Sequence, residues 1–475
     1  MAAGSHAVFD RHNLLNRYLY ILNTSRFTMS KKQAREAIQT PKGTHDILPG
    51  DFPYWDKIVK IGESLAEFYG FQRIETPHFE KTDLFTRTLG DTSDVVEKQM
   101  YSFRTRGGDT LTLRPEGTAP VARAFIEHGM SQWPQPVKLF YHGSFFRHEN
   151  PQRGRFREFG QFGFELIGDE DPVSDAFIIR IFYTMLEEVG FKNIAVHINT
   201  MGDDESRASF KKELTAFYRK KINSLCKDCK RRLKENPLRL LDCKEQSCVE
   251  LKEHAPQILK YLSEASKKQF KVLLEYLDEG KIPYFLNPHL VRGFDYYTGA
   301  VFEIFINCED GSVPETVEES TTQGKPVPIA MASGGRYDNL IYHLGGKRTS
   351  AVGGGFGIDR VVQEMKTQGV QPLTTPEPRL FLVQLGPAAK KKLYALLEGF
   401  RKAGIPVAES LTRDSIKTQL KIASKIGVDY ALILGQREAL EGTVIIREMT
   451  TGAQETVFMD KVIEEVKTRL KNKKR

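Results

Sequence analysis

Between Phe146 and Glu165 the chain sets four arginines and three glutamates on two stretches of strand character and the loop that joins them. In a strand alternate side chains share a face, so Phe159, Gln161, Gly163 and Glu165 line one face, polar groups interleaved with glycine. A core strand would put aliphatic residues there. A polar face with small residues leaves room for a ligand; the plainer reading is the solvated face of a surface hairpin. The two strands, Val137 to Phe146 and Phe156 to Ile167, flank the polar loop His148 to Arg155. Neighbouring strands joined by such a loop point to an antiparallel sheet, not to the parallel sheet of dinucleotide-binding folds. Gly-x-x-x-x-Gly-Lys-Ser/Thr does not occur, and neither does Gly-x-Gly-x-x-Gly between a strand and a helix, so the two commonest nucleotide sites are unsupported.

The rest of the chain sorts around this hairpin. At 475 residues, two or three domains are expected. Residues 1–35 carry six Lys/Arg and a single acid, Asp10. They read as an N-terminal extension ahead of Met29, with an organelle transit peptide as the alternative, and residues 1–39 are set apart as flexible. From Tyr54 to Tyr69 the apolar residues Ile58, Ile61, Leu65 and Phe68 have helical spacing, and Gly70 ends the helix. A short strand, Gln72 to Thr76, runs into Pro77, and Phe103 to Leu113 alternates around Gly107-Gly108 as a hairpin. Residues 203–283 read as a helical, basic insertion. Leu290 to Phe305 and Ile329 to Gly335 return to strand character, and Gly353 to Met365 reads as a strand entering a helix. A Pro-rich linker from Gln371 to Pro378 precedes an alternation of strand (Leu380–Gln384), helix (Ala388–Ala403), strand (Val407–Glu409), helix (Ser415–Ile426) and strand (Tyr430–Leu434). That alternation describes a separate α/β domain over 376–475.

The net charge of +8 and pI near 9.0 favour a polyanion partner. Ten Lys/Arg stand between Lys211 and Lys234 against Glu213 and Asp228, and the tail from Lys467 to Arg475 is basic as well. Solvated helix faces would look the same. No apolar run approaches the ~20 residues of a membrane span. Five cysteines in so long a chain do not make a secreted disulfide scaffold, and a reducing cytoplasm is expected. Four of them, Cys226-x₂-Cys229 and Cys243-x₄-Cys248, either suit a tetrahedral zinc site or stand as reduced side chains of the insertion. Cys308 reads as structural or incidental, and no metal ligand is assigned to the main site.

The segment Phe146 to Glu165 resembles motif 2 of the class II aminoacyl-tRNA synthetases in its histidyl form. Other motifs follow in the family's order. The helix ending at Gly70 and the strand toward Pro77 resemble motif 1, the dimer interface. Gly353-Gly354-Gly355-Phe356-Gly357-Ile358-Asp359-Arg360 resembles motif 3. Arg114-Pro115-Glu116-Gly117-Thr118 is similar to the family's amino-acid loop. Leu290-Val291-Arg292-Gly293-Phe294-Asp295-Tyr296-Tyr297-Thr298-Gly299 and Ala332-Ser333-Gly334-Gly335-Arg336-Tyr337-Asp338 resemble histidyl signatures. The resemblance covers about residues 40–470 and implies an α+β catalytic domain over 40–370. That domain is built on an antiparallel sheet, carries the insertion at 203–283, and is followed by a C-terminal α/β anticodon-binding domain.

It also implies a reaction, in which histidine and ATP form histidyl-adenylate and tRNA then takes the histidine. Arg147 would bridge the histidine carboxylate and the α-phosphate, as a forked guanidinium can. Arg292 would be catalytic beside it; its other reading is a surface salt bridge to Asp295. Arg360 and Arg155 would serve ATP, with Phe159 stacking on adenine and Glu149 accepting from its amine. Glu165 and Tyr297 would take the imidazole nitrogens, and Glu116, Thr118 and Gln161 the α-amino side, with Gly117 and Tyr296 in the same subsite. Mg²⁺ would accompany ATP, and the partners implied are tRNA for histidine and a second copy of the chain, with no membrane. Many family members carry arginine where Asn150 stands, so reading of the acceptor end is the open point. Three alternatives remain: a catalytically silent synthetase-like regulatory subunit of histidine biosynthesis, a stand-alone RNA-binding protein, and a class II enzyme for another amino acid. Arg147, Arg292, Arg360 and the domain from Arg379 onward oppose the first, the tyrosine and glutamate pocket residues the second, and the Arg292–Gly299 signature the third.

Overall fold

The charged hairpin forms as two paired strands of ten residues each, and the main sheet grows outward from it. The computed structural model describes residues 37–90, 93–150, 154–306, 330–374 and 377–473. The readings of residues 1–35, of Cys308 and of Ile329 lie outside these. Described residues divide into two compact units on either side of Pro372 and Leu373.

In the first unit the strands are β1 (Gln72–Arg73), β2 (Phe79–Lys81), β3 (Ser102–Arg104), β4 (Thr110–Leu113), β5 (Val137–Phe146) and β6 (Glu158–Ile167), then β7 (Ala195–Thr200), β8 (Tyr284–Leu286), β9 (Thr298–Phe305), β10 (Ala332–Arg336) and β11 (Ala351–Gly357). Eight of them make one sheet in the order β1-β5-β6-β11-β10-β9-β7-β8. The six inner strands are antiparallel throughout, and β1 and β8 add parallel edges. β2, β4 and β3 form a small separate sheet that contains the hairpin around Gly108.

Strand β6 has two unlike faces. Phe162, Phe164 and Leu166 pack with Ile58, Ile181, Phe182 and Val361, contributed by helices Phe52–Tyr69, Pro172–Val189 and Ile358–Thr367. Phe159 turns to the opposite side, beside Phe145 and Tyr141. The helix Phe52–Tyr69 ends as its sequence dictates, with Gly70 left-handed at φ 74°. Its buried face is Ile58, Gly62, Leu65 and Ala66, however, and Phe68 is 79% exposed.

Two strand assignments shrink. The expected strand to Thr76 is regular only through Arg73; the Ile74 N–H makes a last bond to the Phe140 carbonyl at 2.9 Å, and at Thr76 the Arg114 guanidinium takes the carbonyl at 2.7 Å and the hydroxyl at 3.2 Å. The stretch from Leu290 is irregular until Thr298. Its carbonyls are claimed by side chains instead of a neighbouring strand: Leu290 by Asn199, Gly293 by Arg239 and Tyr297 by Arg207. Residues 203–283 are helical as expected, but Arg231 and Arg232 turn inward onto Glu97 and Asp94 while Lys211, Lys212, Lys220 and Lys227 stay exposed.

The second unit is an α/β layer with sheet order β13-β12-β14-β15-β16, where β12 is Leu380–Gln384, β13 Val407–Glu409, β14 Tyr430–Leu434, β15 Thr443–Glu448 and β16 Gln454–Phe458. Leu380 and Leu382 face one cluster with Leu393, Phe400 and Val466, whereas Phe381 and Val383 face another with Ala423 and Val428. Burial on both sides explains the continuous apolar run of β12. The antiparallel hairpin β15–β16 and the helix Val462–Asn472, which the sequence reading left unassigned, complete the unit.

One ion pair holds the strand end of β10 to the helix beneath. Arg336 donates from Nε to both Asp175 oxygens at 3.2 and 3.0 Å and pairs again through Nη2, and both side chains are buried. Asp175→Ala would leave the buried guanidinium with only the more exposed Asp338 as counter-charge, at 3.3 Å, and breaking a buried pair of this kind costs about 3–5 kcal/mol. Urea denaturation should register a loss of that order, and a change within ~0.5 kcal/mol would show the pair to be dispensable.

Candidate functional site

A cavity of about 620 Å³ opens above the polar face of β6, walled by the β5–β6 loop, β9 to β11, the irregular stretch before β9 and the insertion. From the β5–β6 region come Arg147, Glu149, Arg155, Phe159 and Gln161; Glu116 and Thr118 stand at the start of helix Thr118–Glu127; Arg292, Tyr296 and Tyr297 come from the irregular stretch; Arg360 begins the helix after β11. These candidate residues, far apart in sequence, share one space. Gly117 and Glu165 do not line it. Asn150 is exposed on the loop. A smaller cavity of about 300 Å³ beside Arg336 and Asp175 holds none of the candidate residues.

The arginines are anchored before any ligand arrives. Arg147 donates from Nε to the Pro115 carbonyl at 2.8 Å, lies over the rings of Phe159 and Phe294, and keeps Nη1 3.7 Å from Glu149. Arg360 donates to the Ala330 carbonyl at 2.7 Å. Arg292 pairs with Glu303 at 2.5 Å and donates to the Ser333 hydroxyl at 2.8 Å, with its guanidinium over Tyr297. The alternative partner Asp295 is elsewhere, held by Asn236 at 2.9 Å. Glu303 and Ser333 were not singled out from the sequence, since their nearness to Arg292 depends on β9–β10 register. Asp359 also escaped assignment, although it was quoted in motif 3. Its carboxylate accepts from the Gly160 N–H at 2.7 Å and lies 3.3 Å from His45 Nε2, tying β6 to the helix that carries Arg360.

At the other end is a nest of hydroxyls and carboxyls. Glu116 accepts from the N–H groups of Thr118 and Ala119 at 2.7 and 2.9 Å, an anion at a helix start. Glu165, fully buried, takes bonds from Thr118 Oγ1 at 2.8 Å, from the Tyr141 hydroxyl at 3.3 Å and from the Tyr337 hydroxyl. Gln161 Nε2 donates to Tyr141 at 3.2 Å. Thus Glu165 sits one hydroxyl behind the cavity wall. It reaches that position because Gly353 opposite it has no side chain: a Cβ there would land on the Glu165 carboxylate and 2.7 Å from the Phe164 carbonyl. A Cβ at Gly355 would lie 2.6 Å from Gln161 Nε2. Tyr141 was missed from the sequence, and Tyr337 was quoted in its motif without a role. Burial pushes the Glu165 carboxyl up to about 8 despite the hydroxyls, which oppose the rise. Burial also raises Glu116, against the two helix N–H groups.

Comparison with known proteins decides the family. The sequence model described as Histidyl-tRNA synthetase matches residues 43–361, the span that builds this cavity.

The chain belongs to the histidyl-tRNA synthetase family.

A second model, Anticodon binding domain, matches residues 380–469, the sheet and helices of the second unit. A curated relative from Dehalococcoides mccartyi, named Histidine--tRNA ligase, is 42% identical over 432 residues, covering 91% of this chain and 100% of its own. One of the same name from Caldicellulosiruptor saccharolyticus is 40% identical over 434 residues, covering 91% of this chain and all of its own. The crystal structure of apo S. aureus histidyl-tRNA synthetase superposes with a TM-score of 0.73 at 33% identity, over 90% of this chain and 99% of that one. The fold is therefore that of this family: an α+β domain on an antiparallel sheet with a helical insertion, and a C-terminal α/β anticodon-binding domain.

The buried carboxyl of this family member has a stability consequence. Its value in the folded chain, about 8, exceeds the ordinary 4.5. Folded protein therefore keeps a proton that unfolded chain has released, so the contribution of this group to stability is fully present below pH 4.5 and is lost as pH rises toward 8. The slope is at most ~1.4 kcal/mol per pH unit. Glu165→Gln removes it. Urea denaturation between about pH 5 and about pH 9 should show the parent losing stability relative to the variant; parallel curves would exclude the buried proton.

Proposed function

We infer that the protein is a histidine–tRNA ligase, a class II aminoacyl-tRNA synthetase that activates histidine with ATP and passes it to tRNA. The observation that carries this is the meeting of Arg147, Arg292 and Arg360 with a tyrosine, glutamate and glutamine cluster on one cavity, within the span that matches the family. A stand-alone RNA-binding surface would not need that cluster. A silent regulatory relative would not need the three anchored arginines together with an anticodon-binding domain.

The roles follow from chemistry. Adenylation brings a carboxylate to a phosphate, so two anions must be held together. Arg147, tethered at Nε, bridges them through its terminal nitrogens. Arg360 holds the far phosphates, aided by Arg155. Phe159, already under the Arg147 guanidinium, takes the adenine ring, and Glu149 accepts from the adenine amine. Arg292 faces the α-phosphate and offsets the charge that grows there as the carboxylate attacks; fixed by Ser333 and Glu303, it needs no reorganisation. Tyr297 and Glu165 receive the imidazole nitrogens, which requires the bound ring to displace the Thr118–Glu165 contact. Glu116, Thr118, Gly117, Gln161 and Tyr296 shape the α-amino side.

Magnesium fits as the companion of ATP, because it keeps most of its shell as water and phosphate. Glu303 is engaged by Arg292, so Asp242, a hard oxygen donor on the cavity wall, is the residue that would help to hold it. When bound it would neutralise phosphate charge. The second unit reads the anticodon and the exposed lysines of the insertion meet the acceptor arm, a division supported by the anticodon-domain match and by those lysines' exposure. Phe68, exposed on the motif 1 helix, supports a two-fold homodimer. A cytoplasmic setting suits the cysteine usage, and among the described residues no helix is long and apolar enough to cross a membrane.

Amino-acid-dependent pyrophosphate exchange, run with all twenty amino acids, tests the assignment: histidine alone should support exchange, and none doing so would overturn it. Arg292→Ala should slow single-turnover formation of histidyl-adenylate about a hundred- to thousand-fold while both substrates still bind. A variant within about threefold of the parent would leave Arg292 only the ~0–1 kcal/mol of an ordinary exposed ion pair.

A further inference from the structure

Outside the catalytic cavity, four cysteines converge. Cys226, Cys229, Cys243 and Cys248 come from two separated pairs, yet their sulfurs all lie within 4.8 Å of one another. Cys229, Cys243 and Cys248 are buried and Cys226 is half-buried. None is in a disulfide; Cys226 and Cys243 sulfurs stand 3.9 Å apart, nearly twice the ~2.05 Å of an S–S bond. Four thiolates around one zinc at ~2.3 Å occupy the corners of a tetrahedron with edges of about 3.8 Å. The observed cluster already has nearly that size.

Backbone geometry agrees. Cys226 is the N-cap of helix Lys227–Glu235, and its sulfur accepts from the Cys229 N–H at 3.4 Å. The Cys226 N–H points in turn to the Cys248 sulfur at 3.4 Å. Peptide N–H groups directed at sulfur stabilise thiolate. The plainer reading is four reduced thiols packed as small apolar groups against Leu225, Leu233, Leu240 and Leu241. That reading accounts for burial, but not for four sulfurs facing one point with N–H groups aimed at them.

We propose that these four cysteines bind one structural zinc ion. The site is closed, with four protein ligands and no position for substrate, so its role is to hold the insertion. Of the short helical pieces around it, Ile222–Ser224 buries none of its residues and Pro237–Asp242 buries Pro237, Arg239, Leu240 and Leu241, and a segment built from pieces this short gains most from a metal staple. The ion ties down the stretch Asn236 to Lys244. That stretch presents Arg239 to Asp94 at 3.0 Å and to the Gly293 carbonyl at 2.6 Å, and puts Asp242 and Lys244 on the cavity wall.

The full-length protein, purified without chelator, should contain one zinc per chain by elemental mass spectrometry. Replacing zinc with cobalt should give the visible bands of a tetrahedral tetrathiolate. Cys229→Ser and Cys243→Ser should each lose the metal, and removing zinc from the parent should speed tryptic cleavage within 220–245 on the order of tenfold. If these variants do not fold, the parent decides alone. Folded parent that retains no zinc after incubation and desalting, that gives cobalt bands of oxygen or nitrogen ligation, or that carries a disulfide among these cysteines by intact mass would overturn the proposal.

Discussion

Register across β5, β6 and β11 is the constraint on which everything else rests. Pairing Tyr141 with Gly163 and Glu165 with Gly353 sets each bulky polar group against a glycine. A slip of one residue would turn Phe162 and Phe164 into the cavity and bury Gln161 against the helices. The alternation that makes one face of β6 apolar and the other polar thus specifies the core and the cavity together. Aromatic packing of Phe162 against Phe140 and Phe356 secures the apolar side. The polar side is secured by hydroxyls converging on Glu165.

The cavity is also a charge problem that the fold settles in advance. Arg147, Arg292 and Arg360 each have at least one nitrogen fixed by a backbone carbonyl, a serine or a glutamate. A guanidinium held in this way pays its ordering entropy on folding and not when the substrate binds. Glu303 and Glu149 keep positive charge from accumulating while ATP is absent. Away from the cavity, Asp94 performs a related task, since it receives both Arg232 and Arg239 and so fastens the insertion to the catalytic body.

Much of this was legible from residue order, and the failures have identifiable causes. Helix limits near Gly70 and the alternating elements after Leu380 follow from local propensity. Phe68 was assigned to the core stripe but is exposed, because helical spacing locates a stripe without saying how wide the contact beneath it is. The stretch before Thr298 looked like a strand because its residues are apolar and aromatic, yet Asn199, Arg207 and Arg239 claim its carbonyls from distant positions. The basic run in the insertion read as a surface for a polyanion, yet two of its ten cations, Arg231 and Arg232, are bound to acids more than a hundred residues earlier.

What residue order determined by itself was the menu: an antiparallel hairpin with one polar face, a separate α/β unit, and motifs whose sequence marks the histidyl-tRNA synthetase family. These are consequences of short-range chemistry, of period-two alternation, glycine stops and fixed spacings. Tertiary structure alone decided which polar groups meet. It set Glu165 behind Thr118 instead of on the cavity surface, gave Arg292 to Glu303 and not to Asp295, and gathered four cysteines around one point. Those meetings depend on strand register and on loops closing over tens of residues, and the free energy that selects them comes from burial of the whole sheet, which no local stretch of sequence contains.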